Sequence, residues 1–274
     1  MTHIMLSHFK PLLRALFSAL FALAAASGHA QPKPLNDTGQ TLCYNAANAP
    51  VACSAAVGGD AGVNPRQDAR YGRDAQAAAG QLTKIGAGAA GFDYSKIANS
   101  GSTLAASAAL GAAATDWACT KDNVTGLIWE IKTTSGLRSV YHTYFWYSSN
   151  AATNGGNVGA LGTDSCGGTL AAYSNQCNTQ NYVAAVNAAA LCGATDWRLP
   201  SRRELLTIVH AGATNPSIDG TYFPNASATD SNWTSATYTA DPANAWVVYP
   251  GDGYGNAVNK SSVTYGVRLV RGGQ

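Results

Sequence analysis

Few residues in this chain are of the types that make and break bonds. Beyond residue 30 it holds two histidines, His142 and His210. Neither has a Cys, Asp or Glu two to four positions on, the spacing at which one element offers a metal several ligands. No metal site and no cofactor are therefore expected. His210 is expected in the last turn of a helix, where an imidazole complements the dipole, and His142 as a packed or hydrogen-bonded residue of an aromatic strand. A Ser-His-Asp relay can assemble from distant positions, but the G-x-S-x-G elbow that aims its nucleophile is missing, and no catalytic residue is assigned. Gly86-Ala87-Gly88-Ala89-Ala90-Gly91 matches the G-x-G-x-x-G phosphate loop. That loop works between a buried strand and a helix N-terminus. Gln81 to Ile85 is too polar for the strand and Phe92 to Ser95 does not open a helix, so the match is read as chance in a Gly/Ala-rich segment.

Aromatic residues carry the remaining signal. Tyr144, Trp146, Tyr238 and Tyr254 adjoin Gly-rich or polar loops and can offer ring faces to a sugar; Asp252 and Asn256, placed in a hairpin loop, can hydrogen-bond its hydroxyls. These six are the candidate ligand-binding residues. Trp129, Trp197, Trp233 and Trp246 are expected in the core, because aromatic rings dominate burial. Arg198 is expected as a half-buried brace bonded to carbonyls or a carboxylate. The charge cluster from Arg66 to Asp74 reads as a solvated turn or short helix with Arg70 and Asp74 paired at i, i+4.

The element that must position these groups is Asp196-Trp197-Arg198-Leu199-Pro200-Ser201 running into Arg202-Arg203-Glu204-Leu205. Ser201 and Glu204 form an S-x-x-E capping box, so a helix starts there, with Leu205, Ile208 and Val209 on its buried stripe and Gly212 as its stop. A second helix is expected from Thr179 over Tyr182, Val183, Val186, Ala190 and Leu191, ending at Gly193. Thr125 to Lys132 alternates, with Leu127, Trp129 and Ile131 on one face and Glu130 and Lys132 on the other, and reads as a strand. Val140 to Tyr147 has strand propensity too. Trp233 to Thr239, Ala245 to Tyr249 and Gly266 to Val270 are three closing strands, with a hairpin turn at Pro250-Gly251-Asp252-Gly253. The order predicts an α+β domain with an antiparallel sheet over 116–274, preceded by an irregular Gly/Ala-rich region over 31–115.

Residues 1–30 read as a secretory signal peptide: Lys10 and Arg14 precede the apolar run Ala15 to Ala26, followed by Gly28-His29-Ala30. That run is short of the roughly 20 residues a membrane span needs, so no span is expected after its removal. Past residue 30 the chain carries 15 basic and 15 acidic residues. Nucleic-acid binding requires a basic footprint that this balance does not supply. Six cysteines, an even number with no C-x-x-C, suit an oxidising compartment: periplasm, cell surface or secretion. Spacing does not settle their pairing. Cys43 with Cys53 and Cys166 with Cys177 would close local loops and leave Cys119 with Cys192.

Five segments together resemble a known family: Asp122-Asn123-Val124-Thr125-Gly126-Leu127-Ile128-Trp129-Glu130, Asp196-Trp197-Arg198-Leu199-Pro200 with Glu204-Leu205, Trp233-Thr234-Ser235, Ala245-Trp246-Val247-Val248, and Val267-Arg268-Leu269-Val270-Arg271-Gly272. The family is named after the C-terminal domain of the Legionella collagen-like adhesin. The resemblance implies a C-type-lectin-like fold whose first and last strands pair, export, and adhesion or glycan binding. The Glu-Pro-Asn, Gln-Pro-Asp and Trp-Asn-Asp motifs of calcium-dependent lectins do not occur, so calcium-independent binding is expected. The function so implied is an exported binding module for a glycan or an envelope protein. Its alternatives are an assembly component docking through 31–115, or an enzyme related to the sulfatase-modifying proteins, whose late cysteines this chain lacks beyond Cys192.

Overall fold

The computed structural model describes residues 36–53, 67–226, 229 and 231–272; the expected signal segment lies outside them. All belong to one unit spanning 33–274. Three antiparallel sheets and three α-helices are present among the described residues. The α+β reading holds at that level.

The main sheet is organised by β4 (Trp117–Asp122) and β5 (Ile128–Glu130). Asp122 makes the turn between them. Its carboxylate accepts from the amides of Val124 at 2.9 Å and Thr125 at 3.2 Å and from the Thr125 hydroxyl at 2.6 Å. Gly126, at φ 74°, then takes the left-handed step that a side chain resists. β3 (Tyr94–Ala98) pairs with the outer side of β4, and β9 (Val270–Arg271) pairs with β5 through Ile128↔Arg271 and Trp129↔Val270. The strand order is β3-β4-β5-β9. On the far side of β9, Arg198 makes a further bridge to Val270, the amide of each donating to the other's carbonyl at 3.0 Å. The Trp-Arg-Leu-Pro elbow is thus the next strand-like member of this sheet.

The second sheet orders β6 (Asn232–Thr237), β7 (Asn244–Val248) and β8 (Gly255–Asn259). β8 was not expected. A small hairpin of β1 (Cys43–Tyr44) and β2 (Pro50–Val51) stands apart in pairing. It is closed by the Cys43–Cys53 disulfide; Cys119–Cys192 and Cys166–Cys177 complete the set.

α2 (Thr179–Ala188) is capped by Asn178, whose side chain accepts from the Asn181 amide, one residue earlier than the expected Thr179 cap. It ends at Ala188, before the expected Gly193, because Ala190 turns left-handed at φ 47°. α3 (Arg202–Leu206) has the complete capping box on Ser201 and Glu204. It is shorter than the apolar stripe suggested. The Thr207 hydroxyl donates to the Glu204 carbonyl at 2.7 Å, and beyond it the chain bends so that the His210 amide donates to Ser217. His210 therefore lies outside the helix, buried, with its ring 5.3 Å from that of Phe92.

Two other expectations change. Val140 to Tyr147 forms no continuous strand; it makes single bridges, Tyr144↔Tyr265, Phe145↔Asn178 and Tyr147↔Gly159, because its partners come from three different segments. The region 31–115 is not wholly irregular: it contains β1, β2, the helix α1 (Gly72–Ala78) and β3, so the main sheet starts upstream of residue 116. The two faces of the strand over Thr125 to Lys132 separate as the alternation predicts, and Glu130 and Lys132 are buried as well. Leu127, Trp129 and Ile131 pack with Phe92, Tyr94, Leu205, Tyr222 and Phe223, while Glu130 meets Tyr182 of α2 on the opposite side. Both faces of β5 are covered, and alternation then separates an apolar layer from a buried polar one.

Candidate functional site

The buried polar layer explains why polar residues can sit inside this domain. Glu130 is 0 % exposed, and its carboxylate accepts from Lys132 at 3.0 Å, from the Tyr182 hydroxyl, and from the Leu269 amide at 2.9 Å. The Arg268 guanidinium donates to the Glu130 carbonyl at 2.9 Å. Burial lowers the Lys132 ammonium and Glu130 opposes that; burial lifts the Tyr182 phenol well above its ordinary range, with the Glu130 charge adding to it. These groups satisfy one another and reach no surface, so the cluster locks β5, α2 and the chain end together. Tyr144 stacks into it, its ring 4.7 Å from that of Tyr182.

Arg198 closes the elbow in the same manner. Its two terminal nitrogens donate to the two Glu204 oxygens at 2.8 and 2.6 Å, and one also reaches the Gly272 carbonyl at 3.1 Å. Glu204 thereby holds the arginine and caps α3 through the Ser201 amide at 2.8 Å. Trp197 and Trp129 lie in the core, 2 % and 0 % exposed, as does Trp233 at 0 %.

Two of the six ligand candidates move to the interior. Tyr144 and Trp146 are 0 % and 1 % exposed; the Trp146 indole donates to the Thr234 carbonyl at 2.9 Å, and the Lys260 ammonium lies 4.0 Å from its ring. Neither can meet a ligand. The adjoining loop of 148–160 that suggested exposure folds back against Trp146, pinned by the Lys260 ammonium, which donates to the carbonyls of Asn154 and Asn157 at 2.9 Å each, while Tyr144 is packed on Tyr182.

The other four lie on or beside the β6–β7–β8 sheet. Tyr238 is half-buried and meets Trp246 edge-on, centroids 5.3 Å apart. Trp246, expected in the core, is half-buried as well, and the Arg202 guanidinium lies 4.1 Å above its ring. Gly255 makes that stacking feasible, since a Cβ there would stand 2.8 Å from Arg202 Nε. Among the described residues Arg202 forms no ion pair, and its Nε has no hydrogen-bond partner. The hairpin turn then presents Tyr254, 64 % exposed, with Asp252 accepting the Tyr254 amide at 2.8 Å and Asn256 exposed on β8. Tyr238, Trp246, Arg202 and Gly255 are neighbours on one face of the sheet, while Asn256, opposite Val247, lies on the other face, and Asp252 and Tyr254 stand at the turn. Sequence reasoning missed Arg202, because its place in the first turn of α3 carries no sign of the sheet it would cover.

A cleft of about 730 Å³ lies elsewhere, between the β3–β4 connection and residues 133–138 and 186–191. Its larger polar side chains are already engaged. Arg138 donates to the carbonyls of Ala118 and Ile131, Asn99 to those of Gly111 and Ala113, and Asn225 to that of Lys132. The cleft is braced rather than armed.

The Gly86–Gly91 loop cradles no phosphate. Asp93 accepts the amides of Ile85 and Gly86 at 2.8 Å each, Asp219 accepts that of Ala89 at 2.9 Å, and Lys84 donates to the carbonyls of Gly88 and Ala90. The amides of Gly86, Ala89 and Gly91 are thus taken by the chain's own carboxylates, and that of Ala87 by the Tyr94 carbonyl.

The Lcl C-terminal domain family matches residues 118–271, more than half of the chain. The protein belongs to that family. Neither the curated proteins nor the solved structures hold a match to it. In this Lcl C-terminal domain the sequence signatures have physical roles: Trp233 to Ser235 lies in β6 and Ala245 to Val248 in β7. Asp122 to Glu130 is the β4–β5 turn and the buried acid, Asp196 to Leu205 is the elbow with its capped helix, and the last signature is the strand between elbow and β5. The match begins inside β4, so β3 and everything before it lie outside the family region.

Proposed function

We propose that this protein is an exported, non-catalytic binding module of C-type-lectin-like architecture that recognises a glycan at the cell envelope or surface, with the β6–β7–β8 face as its contact surface. The observation that carries this reading is the stack of Tyr238, Trp246 and the Arg202 guanidinium on one face of the sheet, with the neighbouring turn exposing Tyr254 and Asp252. Aromatic surface with a few placed polar groups is what sugar recognition requires. Three disulfides support a life in an oxidising compartment, and no helix among the described residues is long and apolar enough to cross a membrane.

The test is a glycan array probed with the disulfide-intact protein, with and without EDTA. Binding that survives EDTA and falls about tenfold in Tyr254→Ala and Arg202→Ala, each equivalent to ~1.4 kcal/mol, is expected. Silence on glycans with stoichiometric capture of one envelope protein at the same face would replace the sugar by a protein ligand. Silence on both would remove the proposal.

A further inference from the structure

The family region begins at residue 118, and the cleft of about 730 Å³ is only partly built from it. One wall is the β3–β4 connection within residues 99–114; the others are 133–138 and the end of α2 through 186–191. The first wall is tied down along its length. The Asn99 amide donates to the Asp116 carbonyl at 3.0 Å and the Ser100 amide to that of Ala114 at 2.9 Å. At its base the backbone of Ser100-Gly101 lies against Cys192-Gly193. A Cβ on Gly101 would stand 2.9 Å from the Cys192 carbonyl oxygen, and one on Gly193 2.9 Å from that of Ser100. The Cys119–Cys192 disulfide fixes the same corner. The cleft is therefore preformed, and its volume falls in the range of about 300–1,000 Å³ that small-molecule sites occupy.

Its lining pairs apolar surface with one charge. Leu110, Leu137, Val186 and Leu191 supply the apolar part, and among the described residues Arg138 is the one charged side chain that lines it. The bonds that brace Arg138 use a single nitrogen: Nη1 donates to the carbonyls of Ala118 at 3.0 Å and Ile131 at 2.7 Å. Nε and Nη2 have no partner among the described residues, and neither is shut off from solvent. Those two nitrogens share one edge of the guanidinium, an edge that takes both oxygens of a carboxylate in parallel. Anchoring through Nη1 orients the plane beforehand, so little side-chain freedom is lost when that edge is used. No histidine, cysteine or carboxylate lines the cleft among the described residues, so it is suited to holding a ligand and not to transforming one.

We propose that this cleft is a second binding site, taking a small ligand that joins one carboxylate to an apolar body. Arg138 takes the carboxylate along its Nε–Nη2 edge, and the body lies on Leu110, Leu137, Val186 and Leu191. Charge and polarity decide against other occupants. A cationic ligand meets only repulsion from Arg138, and a neutral one leaves the guanidinium edge unpaired in a half-buried wall. A sugar would bury many hydroxyls against the leucines with few partners for them. The site shares no residue with the β6–β7–β8 face, so it stands apart from the glycan proposal.

The probe is octanoate, kept below its micellar concentration and titrated calorimetrically into the disulfide-intact protein, with octanol and octyltrimethylammonium as neutral and cationic counterparts. Saturable binding of one octanoate per chain is expected, with octanol at least about tenfold weaker and the ammonium compound not bound. Arg138→Gln should weaken octanoate about tenfold, and Arg138→Lys, which keeps the charge without the forked edge, should fall between. Because Arg138 also braces two carbonyls, a second variant reads the cleft itself: Ala189→Trp, at an exposed lining position, fills the space and should abolish binding with the thermal midpoint unchanged. Lys121→Gln, an exposed lysine of β4 outside the lining, should bind as wild type does. No saturable heat, octanol bound as tightly as octanoate, unchanged affinity in Ala189→Trp, or a loss in Lys121→Gln equal to that in Arg138→Gln would each overturn the assignment.

Discussion

Glu204 does three things with one carboxylate: it pairs with Arg198, accepts the Ser201 amide, and faces the first turn of α3. Desolvation pushes its carboxyl up, but the hydrogen bonds from Arg198 and Ser201 outweigh that and hold it below the usual range. A depressed folded value means that this stabilisation is complete above the unfolded value of about 4.3 and is lost as pH falls through the folded one. Glu204→Ala is expected to cost about 1–3 kcal/mol at neutral pH, for a cap and a half-exposed ion pair. Urea titrations from pH 7 down to pH 3 should show the gap between wild type and variant narrowing only below about pH 4.3. The capping box was legible because S-x-x-E is a local pattern, and the brace role of Arg198 could be named from its neighbours. The fates of Glu130 and Trp146 were not. Alternation gives two faces but cannot say that α2 covers the polar one, and a ring next to a glycine-rich loop looks exposed until Lys260 pins that loop down.

Elements with strong local chemistry were readable, and elements defined by their partners were not. β7 announces itself through Ala245 to Val248, whereas β8, Gly255-Asn256-Ala257-Val258-Asn259, has neither alternation nor β-branched density and exists because all five of its residues register against β7. β3 was hidden in the same way inside the Gly/Ala-rich region; only its pairing with β4 defines it. The disulfides act at this scale as well. Cys119–Cys192 spans 73 residues and ties β4 to the end of the α2 segment, while the other two span 10 and 11. In the chain-entropy model its loss costs about 4–5 kcal/mol against about 3 for either short bridge. Paired Cys→Ser variants compared by guanidinium denaturation under non-reducing conditions should follow that order, with Cys119→Ser/Cys192→Ser the least stable. Equal losses from all three would show that local strain, not loop length, governs them.

For the whole molecule, the final strand is the closing piece. β9 lies between β5 and the elbow, and each of its neighbours is fixed by a separate polar device: Glu130 within the buried cluster on one side, the Arg198–Glu204 pair on the other. Because the elbow also launches α3, closing the sheet places Arg202 over Trp246 and so shapes the proposed ligand face. Native-state hydrogen exchange of the amides of Glu130, Arg198 and Val270, which bond respectively to Leu269, Val270 and Arg198, tests this closure most directly. All three should exchange together at the slowest rate in the chain, set by global unfolding. Early, independent exchange of Arg198 and Val270 while Glu130 stays protected would contradict it, because the elbow would then be a detachable flap.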